Sequence, residues 1–212
     1  GSGVIFYAWA EKIRCEGKTV YIVSRLTNLA SRKRDEGHFI MGPITLGYNY
    51  KRVDQSAKER IDKGTIFGQM NPLEIKVSKQ IIDAIPCAEM VRFFKTGAEA
   101  TSAAARVARG VTGKDLILSS GYHGWLDTWQ VGKKGVPKSL DDTLIEFDLY
   151  DIKELENLLD KYEGQIACII LTPPYYNDPG ATHMKKIREL ATKHEALLVY
   201  DEIVTGFRLD IG

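Results

Sequence analysis

Three short segments carry groups whose types and spacing could do chemistry. Lys95-Thr96-Gly97-Ala98-Glu99 puts a glycine where an apolar run gives way to an alanine-rich one. Such a strand-to-helix turn lets the backbone approach an anion and aims the N–H groups of Gly97, Ala98 and Glu99 at it, a phosphate cup. The sterics of the turn explain the same glycine without a ligand. Gly121-Tyr122-His123-Gly124-Trp125 places aromatic rings directly after a second apolar run. Rings there can stack on a planar ligand, or can simply pack, and His123 reads equally as a structural histidine. Leu198-Val199-Tyr200-Asp201-Glu202 ends a third run on carboxylates. Asp201 could hold magnesium, pair with a protonated ring nitrogen of a cofactor, or cap the next turn.

The magnesium reading needs a phosphate loop of the form G-x-x-x-x-G-K-S/T. The one candidate, Gly17-Lys18-Thr19, has Lys12 where the first glycine belongs, and it runs into Val20–Val23, which reads as a strand. A Rossmann nucleotide binder lacks its G-x-G-x-x-G after a first strand, and a hydrolase triad lacks its G-x-S-x-G elbow. Four histidines and three cysteines show no zinc-like spacing, so no metal site is expected. Cys87, just after Pro86, reads as structural.

Composition narrows the class further. The 212 residues carry 29 Lys and Arg against 28 Asp and Glu, a net charge of +1. That balance argues against nucleic-acid binding through the phosphate backbone and against an acidic tail. With 44% hydrophobic and 27% charged residues the composition is that of an ordinary soluble globular protein. Cys15, Cys87 and Cys168 are scattered and odd in number, which favours a reducing cytoplasm over a disulfide framework. No apolar run reaches the roughly 20 residues of a membrane span.

The elements that must position the three segments follow from periodicity. Val4–Ala10 reads as a strand or buried segment, and Val53–Asp62 as a helix. Met90–Phe94, Leu116–Leu118, Leu144–Phe147, Ala167–Leu171 and Ala196–Tyr200 read as strands. Glu99–Ala108 (ending before Gly110), Asp151–Tyr162 and Met184–His194 read as helices. Strands apolar on both faces alternating with helices predict an α/β fold, a mostly parallel sheet with flanking helices. In such sheets ligands bind at the carboxyl ends of the strands. That rule gathers Thr96-Gly97, Gly121-Tyr122, Pro174–Asn177 and Asp201 along one edge. Residues 1–78 form a different N-terminal segment, with irregular loops, short strands and a charged stretch, Arg25–Glu36, read as solvated. Residues 79–212 carry the regular rhythm.

Taken together, Met90-Val-Arg-Phe-Phe-Lys-Thr-Gly-Ala-Glu-Ala-Thr, Arg106-Val-Ala-Arg-Gly-Val-Thr-Gly-Lys-Asp, Gly121-Tyr-His-Gly-Trp and Asp201-Glu-Ile-Val-Thr-Gly-Phe-Arg resemble the class III pyridoxal-phosphate-dependent aminotransferases, and among them the glutamate-1-semialdehyde aminomutase-like branch. The resemblance is clear from about Gly42 to Gly212. It implies a partial fold-type I large domain over residues 79–212. It implies that Thr96, Gly97 and Ala98 hold the cofactor phosphate and that Tyr122 stacks on the pyridine ring with His123 beside it. Asp201 is the implied catalytic residue, keeping the ring nitrogen protonated, with Ile203 on the opposite ring face. Asn177 lies near the cofactor oxygen, and Met41 and Pro43 line the substrate side. A small-molecule amino donor, a carbonyl acceptor and a homodimer are implied as partners.

The chain departs from the family at several positions. Ala98 stands for the usual threonine, Thr172 for a glutamate common before the proline, and Met41 for the aminomutase's aromatic residue. The family's Schiff-base lysine lies on a later strand, beyond Gly212, and no lysine here takes its place. The expectation is an N-terminal portion of a transaminase or aminomutase, this stretch alone being inactive. The alternative is a catalytically incomplete relative kept for binding or assembly.

Overall fold

The computed structural model describes residues 2–7, 19–25, 46, 49–174 and 177–207; Met41, Pro43 and the charged stretch beyond Arg25 lie outside them. Along the chain run β1 (Ser2–Tyr7), β2 (Thr19–Arg25), α1 (Lys51–Ile61), α2 (Pro72–Ala84), β3 (Met90–Phe94), α3 (Gly97–Thr112), β4 (Leu116–Ser120), β5 (Leu144–Glu146), α4 (Ile152–Lys161), β6 (Ile166–Leu171), α5 (Ala181–Lys193) and β7 (Leu197–Asp201). The strands form one sheet of order β3-β1-β2-β7-β6-β4-β5. From β2 to β5 every neighbouring pair is parallel, while β1 runs antiparallel to both β2 and β3. The α/β class and mostly parallel sheet expected from the sequence are what the chain forms.

Burial explains the order. All six residues of β6 are buried, as a central strand covered on both faces requires. On one face α3 presents Ala100, Thr101, Ala104, Ala105 and Ala108, all buried, against Ile117, Cys168, Ile170 and Val199. Their short side chains bring the helix axis close to the sheet. On the other face Leu155 and Leu159 of α4 and Ile187, Leu190 and Ala191 of α5 pack against Leu118, Ile169, Leu171 and Leu198.

Two expectations are corrected. Helix α3 does not stop before Gly110 but runs on to Thr112, because the left-handed residue that ends it is Gly113 (φ 67°), whose N–H returns to the Arg109 carbonyl. Residues 72–84, which the sequence places largely in an irregular segment, form helix α2. Leu73, Ile75 and Val77 alternate like a strand but remain exposed. Helix formation is set instead by the Asn71 side chain, which caps the Leu73 N–H, by Pro72 in the first turn, and by buried Ile81.

Candidate functional site

Strands β4, β6 and β7 are adjacent and parallel, so Gly121, Thr172 and Asp201 meet at one edge. The N-terminus of α3 comes to the same place. Its cap is a closed capping box: Thr96 Oγ1 accepts the Glu99 N–H at 3.2 Å, and the Thr96 N–H donates to Glu99 Oε2 at 2.8 Å. The Thr96 hydroxyl also donates to Glu99 Oε2 at 3.0 Å. Thr96 thus caps its own helix. Gly97 and Ala98, the first two helical positions, have N–H groups that no turn of the helix can satisfy.

The loop after β4 seats directly on this helix end. Gly124 adopts φ 118°, and a Cβ there would lie 2.4 Å from Ala98 Cβ and 2.9 Å from its Cα. Ala98, where the family usually has threonine, therefore meets a glycine in close packing. The Thr101 hydroxyl, 2.7 Å from the His123 carbonyl and 3.0 Å from the Ala98 carbonyl, ties loop to helix from within. Gly121 (φ 111°) makes a second close approach, its Cβ position 2.5 Å from Thr172 Oγ1.

His123 is buried, 3% exposed, and its Nδ1 lies 2.7 Å from Oδ2 of the equally buried Asp201. The other carboxylate oxygen of Asp201 accepts the Ile203 N–H at 3.2 Å. Trp129 meets the imidazole edge-on at 5.3 Å and is itself anchored by donating to Ser102 Oγ. Two buried polar atoms have no partner among the described residues: His123 Nε2 and Thr172 Oγ1. Tyr122, by contrast, is 72% exposed, so its ring is open at the same edge.

Of the site residues expected from the sequence, Thr96, Gly97, Ala98, Tyr122, His123, Asp201 and Ile203 lie on the α3 cap, the β4 loop and the end of β7. His123 sits under the edge, bonded to Asp201. Asn177 is exposed; its carbonyl accepts the Tyr150 hydroxyl at 2.9 Å, and no hydrogen bond ties it to the others. Met41 and Pro43 fall outside the described residues. Thr101, Trp129 and Ser102 carry no signal in the sequence, since their roles depend on partners far along the chain.

The turn after Asp201 is braced by Glu202, whose Oε2 accepts the Thr205 hydroxyl at 2.6 Å and whose carbonyl accepts the Gly206 N–H at 2.9 Å. Burial raises the Glu202 carboxyl above the usual carboxylate range; the Thr205 bond opposes this and the neighbouring Asp201 charge adds to it. The folded form therefore holds this proton more tightly than the unfolded chain. The stability this confers is complete below the ordinary carboxylate value and is lost as pH rises through the raised one. Glu202→Gln should flatten that slope: its denaturant midpoint should fall less than the parent's as pH rises above the ordinary carboxylate value of about 4. An unchanged slope would assign the pH dependence elsewhere. Burial likewise pushes the Cys87 thiol up to about 11 and Cys168 up to about 12. Neither is poised as a nucleophile. Among the described residues no group of three or more His, Cys, Asp or Glu could hold a metal ion, and no helix is long and apolar enough to cross a membrane.

One sheet edge thus carries the N-terminus of α3, an open aromatic ring and a fixed buried carboxylate. Residues 40–209 match the sequence model of the class-III aminotransferases, and the chain belongs to that family. It is 37% identical over 178 residues to the 3-aminobutyryl-CoA aminotransferase of Cloacimonas acidaminovorans, covering 81% of this chain and 43% of that protein. It is 36% identical over 189 residues to the glutamate-1-semialdehyde 2,1-aminomutase of a Sulfurihydrogenibium species, covering 81% and 44%. The fold matches a Sphingopyxis protein solved in its PLP internal aldimine form, with a TM-score of 0.72 at 22% identity over 76% of this chain and 41% of that one. The chain thus spans less than half the length of these relatives.

Proposed function

We propose that this chain is the N-terminal portion of a pyridoxal-phosphate-dependent aminotransferase or aminomutase, which moves an amino group between an amine or amino acid and a carbonyl substrate. The observation that carries this reading is the buried Asp201 carboxylate, held by His123 at the strand edge that also receives the α3 N-terminus. The residues present fit the cofactor. Gly97 and Ala98 offer a phosphate the N–H groups of the first helical turn, which the helix itself leaves unpaired, and the helix dipole favours its charge. Asp201 offers a fixed carboxylate to a protonated ring nitrogen, Tyr122 an open ring face, and half-buried Ile203 an apolar one. When bound, the cofactor supplies an electron sink for the carbanion formed as an amino acid loses its α-proton. Asp201 would hold the ring-nitrogen proton in place, which would keep that sink strong. Gly97 and Ala98 would hold the phosphate end of the group through their backbone N–H groups.

A homodimer in the cytoplasm completes the proposal. Its support here is a run of exposed apolar side chains, Ile61, Ile66, Phe67, Met70 and Leu73, with Ile66 93% exposed. Such a concentration fits an interface better than a solvated surface.

The full-length protein should copurify with, or take up, pyridoxal phosphate and show its yellow absorbance. Borohydride should fix that absorbance to a lysine outside residues 1–212, and light scattering should give twice the chain mass. A full-length protein that takes up no cofactor would instead support the binding or assembly reading.

A further inference from the structure

We infer that Tyr150 is a positioning residue, whose hydroxyl holds the segment around Asn177 at the ligand edge from across the end of β4; this rests on the cofactor reading above. The strand order β6-β4-β5 sets the span. Tyr150 follows β5 and Asn177 follows β6, and two strand spacings, about 10 Å, separate those strands. Between them β4 ends and leads into Gly121 and Tyr122. A tyrosine is long enough to reach over that gap, and it ends in a donor. Its hydroxyl donates to the Asn177 carbonyl at 2.9 Å. The ring itself is 50% exposed, so burial does not account for where it points.

The turn that carries Tyr150 is braced on several sides. The Asp148 N–H donates to Glu154 Oε2 at 2.7 Å, and Asp148 Oδ1 accepts the Tyr150 N–H at 2.9 Å. The Asp148 carbonyl accepts the Asp151 N–H at 3.0 Å, and the Asp151 side chain caps α4. The carbonyl of buried Leu149 meets His183 Nε2, in the first turn of α5, at 2.6 Å. The far end is held more loosely. Asn177 is exposed, and the Tyr150 bond is the one hydrogen bond it makes among the described residues. The chain braces itself again at Gly180, whose N–H donates to Asp178 Oδ1 at 2.8 Å. A rigid turn reaching out to a loosely held segment fixes that segment rather than itself. The bond takes the Asn177 backbone carbonyl and leaves its side-chain amide available to a ligand.

Tyr150→Phe in the full-length protein keeps the ring and removes the donor. Its urea midpoint should match the parent's, since the bond is exposed. Brief chymotrypsin digestion of the apo form should cut after Tyr176 about three- to tenfold faster, the span of one net hydrogen bond. The dissociation constant for pyridoxal phosphate, read by absorbance titration, should rise about threefold or more. Asn177→Ala should weaken the cofactor as well, and adding Tyr150→Phe to it should weaken it no further, because the side chain being positioned is already gone. Additive losses, an unchanged dissociation constant in either single variant, or unchanged cleavage would overturn the inference. So would a lowered urea midpoint, which would make the bond part of the fold. If the parent itself takes up no cofactor, the proposed function falls, and the cleavage rate alone decides whether Tyr150 holds the segment.

Discussion

Gly124→Ala is expected to cost the folded protein roughly 2–5 kcal/mol, the sum of a backbone region reserved for glycine and an overpacked neighbour. At φ 118° an L side chain is strained whatever the space around it, and here the space is taken by Ala98 Cβ at 2.4 Å and its Cα at 2.9 Å. Neither atom can swing away as the end of a long side chain would. Relief must come from moving the loop or the first turn of α3, and either movement displaces the N–H groups of Gly97 and Ala98. Cofactor affinity should therefore fall together with the urea midpoint. Adding Ala98→Gly should recover part of the loss, because it removes the overlapping methyl group while the helix backbone stays crowded and the loop backbone stays strained. Gly110→Ala is the control. Nothing lies within 4 Å of its Cβ position, and it sits within α3, so the change should stabilise by about 0.5–1 kcal/mol. A Gly124→Ala protein as stable as its parent would show that loop and helix do not meet as described.

Asp201→Asn should separate folding from chemistry. One carboxylate oxygen accepts from His123 and the other from Ile203, so an amide can serve only one of these donors. The other donor then faces an NH2 group, which costs about 1–3 kcal/mol in a buried site. The larger effect falls on amino-group transfer. Without a negative charge opposite the ring nitrogen, the proton there is no longer held, and turnover should drop by about 100-fold or more, the scale seen when one preorganised electrostatic contact is removed. The measurement is kcat of the cofactor-loaded full-length protein with the best donor from a panel of amino acids, set beside the urea midpoint of the apo form. A variant that retains turnover would deny Asp201 its assigned role.

Much of this edge is legible from local chemistry. The capping box of α3 spans four consecutive residues, Thr96 to Glu99, so its signal is contained in the motif itself. Strand β6 announces itself as an unbroken apolar run, and Asp201 follows from where such a run stops. The helix end is less legible. Gly110 and Gly113 are alike as letters, and only the left-handed backbone at Gly113 tells them apart. Helix α2 is hidden because Leu73, Ile75 and Val77 imitate a strand while staying exposed. The His123–Asp201 pair is the hardest to see as a bond. Its members lie 78 residues apart, and only the parallel order of β4, β6 and β7 brings them together. Trp129 and Thr101 act through the same tertiary contacts, and nothing adjacent to them in sequence marks them.

The alanine face of α3 has a consequence for how the site can be altered. Ala100, Ala104, Ala105 and Ala108 lie flat on the sheet with almost no exposed surface, so any larger side chain must lift the helix or tilt it. The helix rises about 1.5 Å per residue, so a tilt begun at Ala108 is carried to Gly97 along a rigid rod some ten residues long. Libraries aimed at substrate range would waste most of their members on this face, losing the cofactor before any new substrate was tried. The open side of the same edge, where Trp125 stands 75% exposed beside the cofactor-facing Tyr122, imposes no such packing penalty, and Trp125 is the place to diversify.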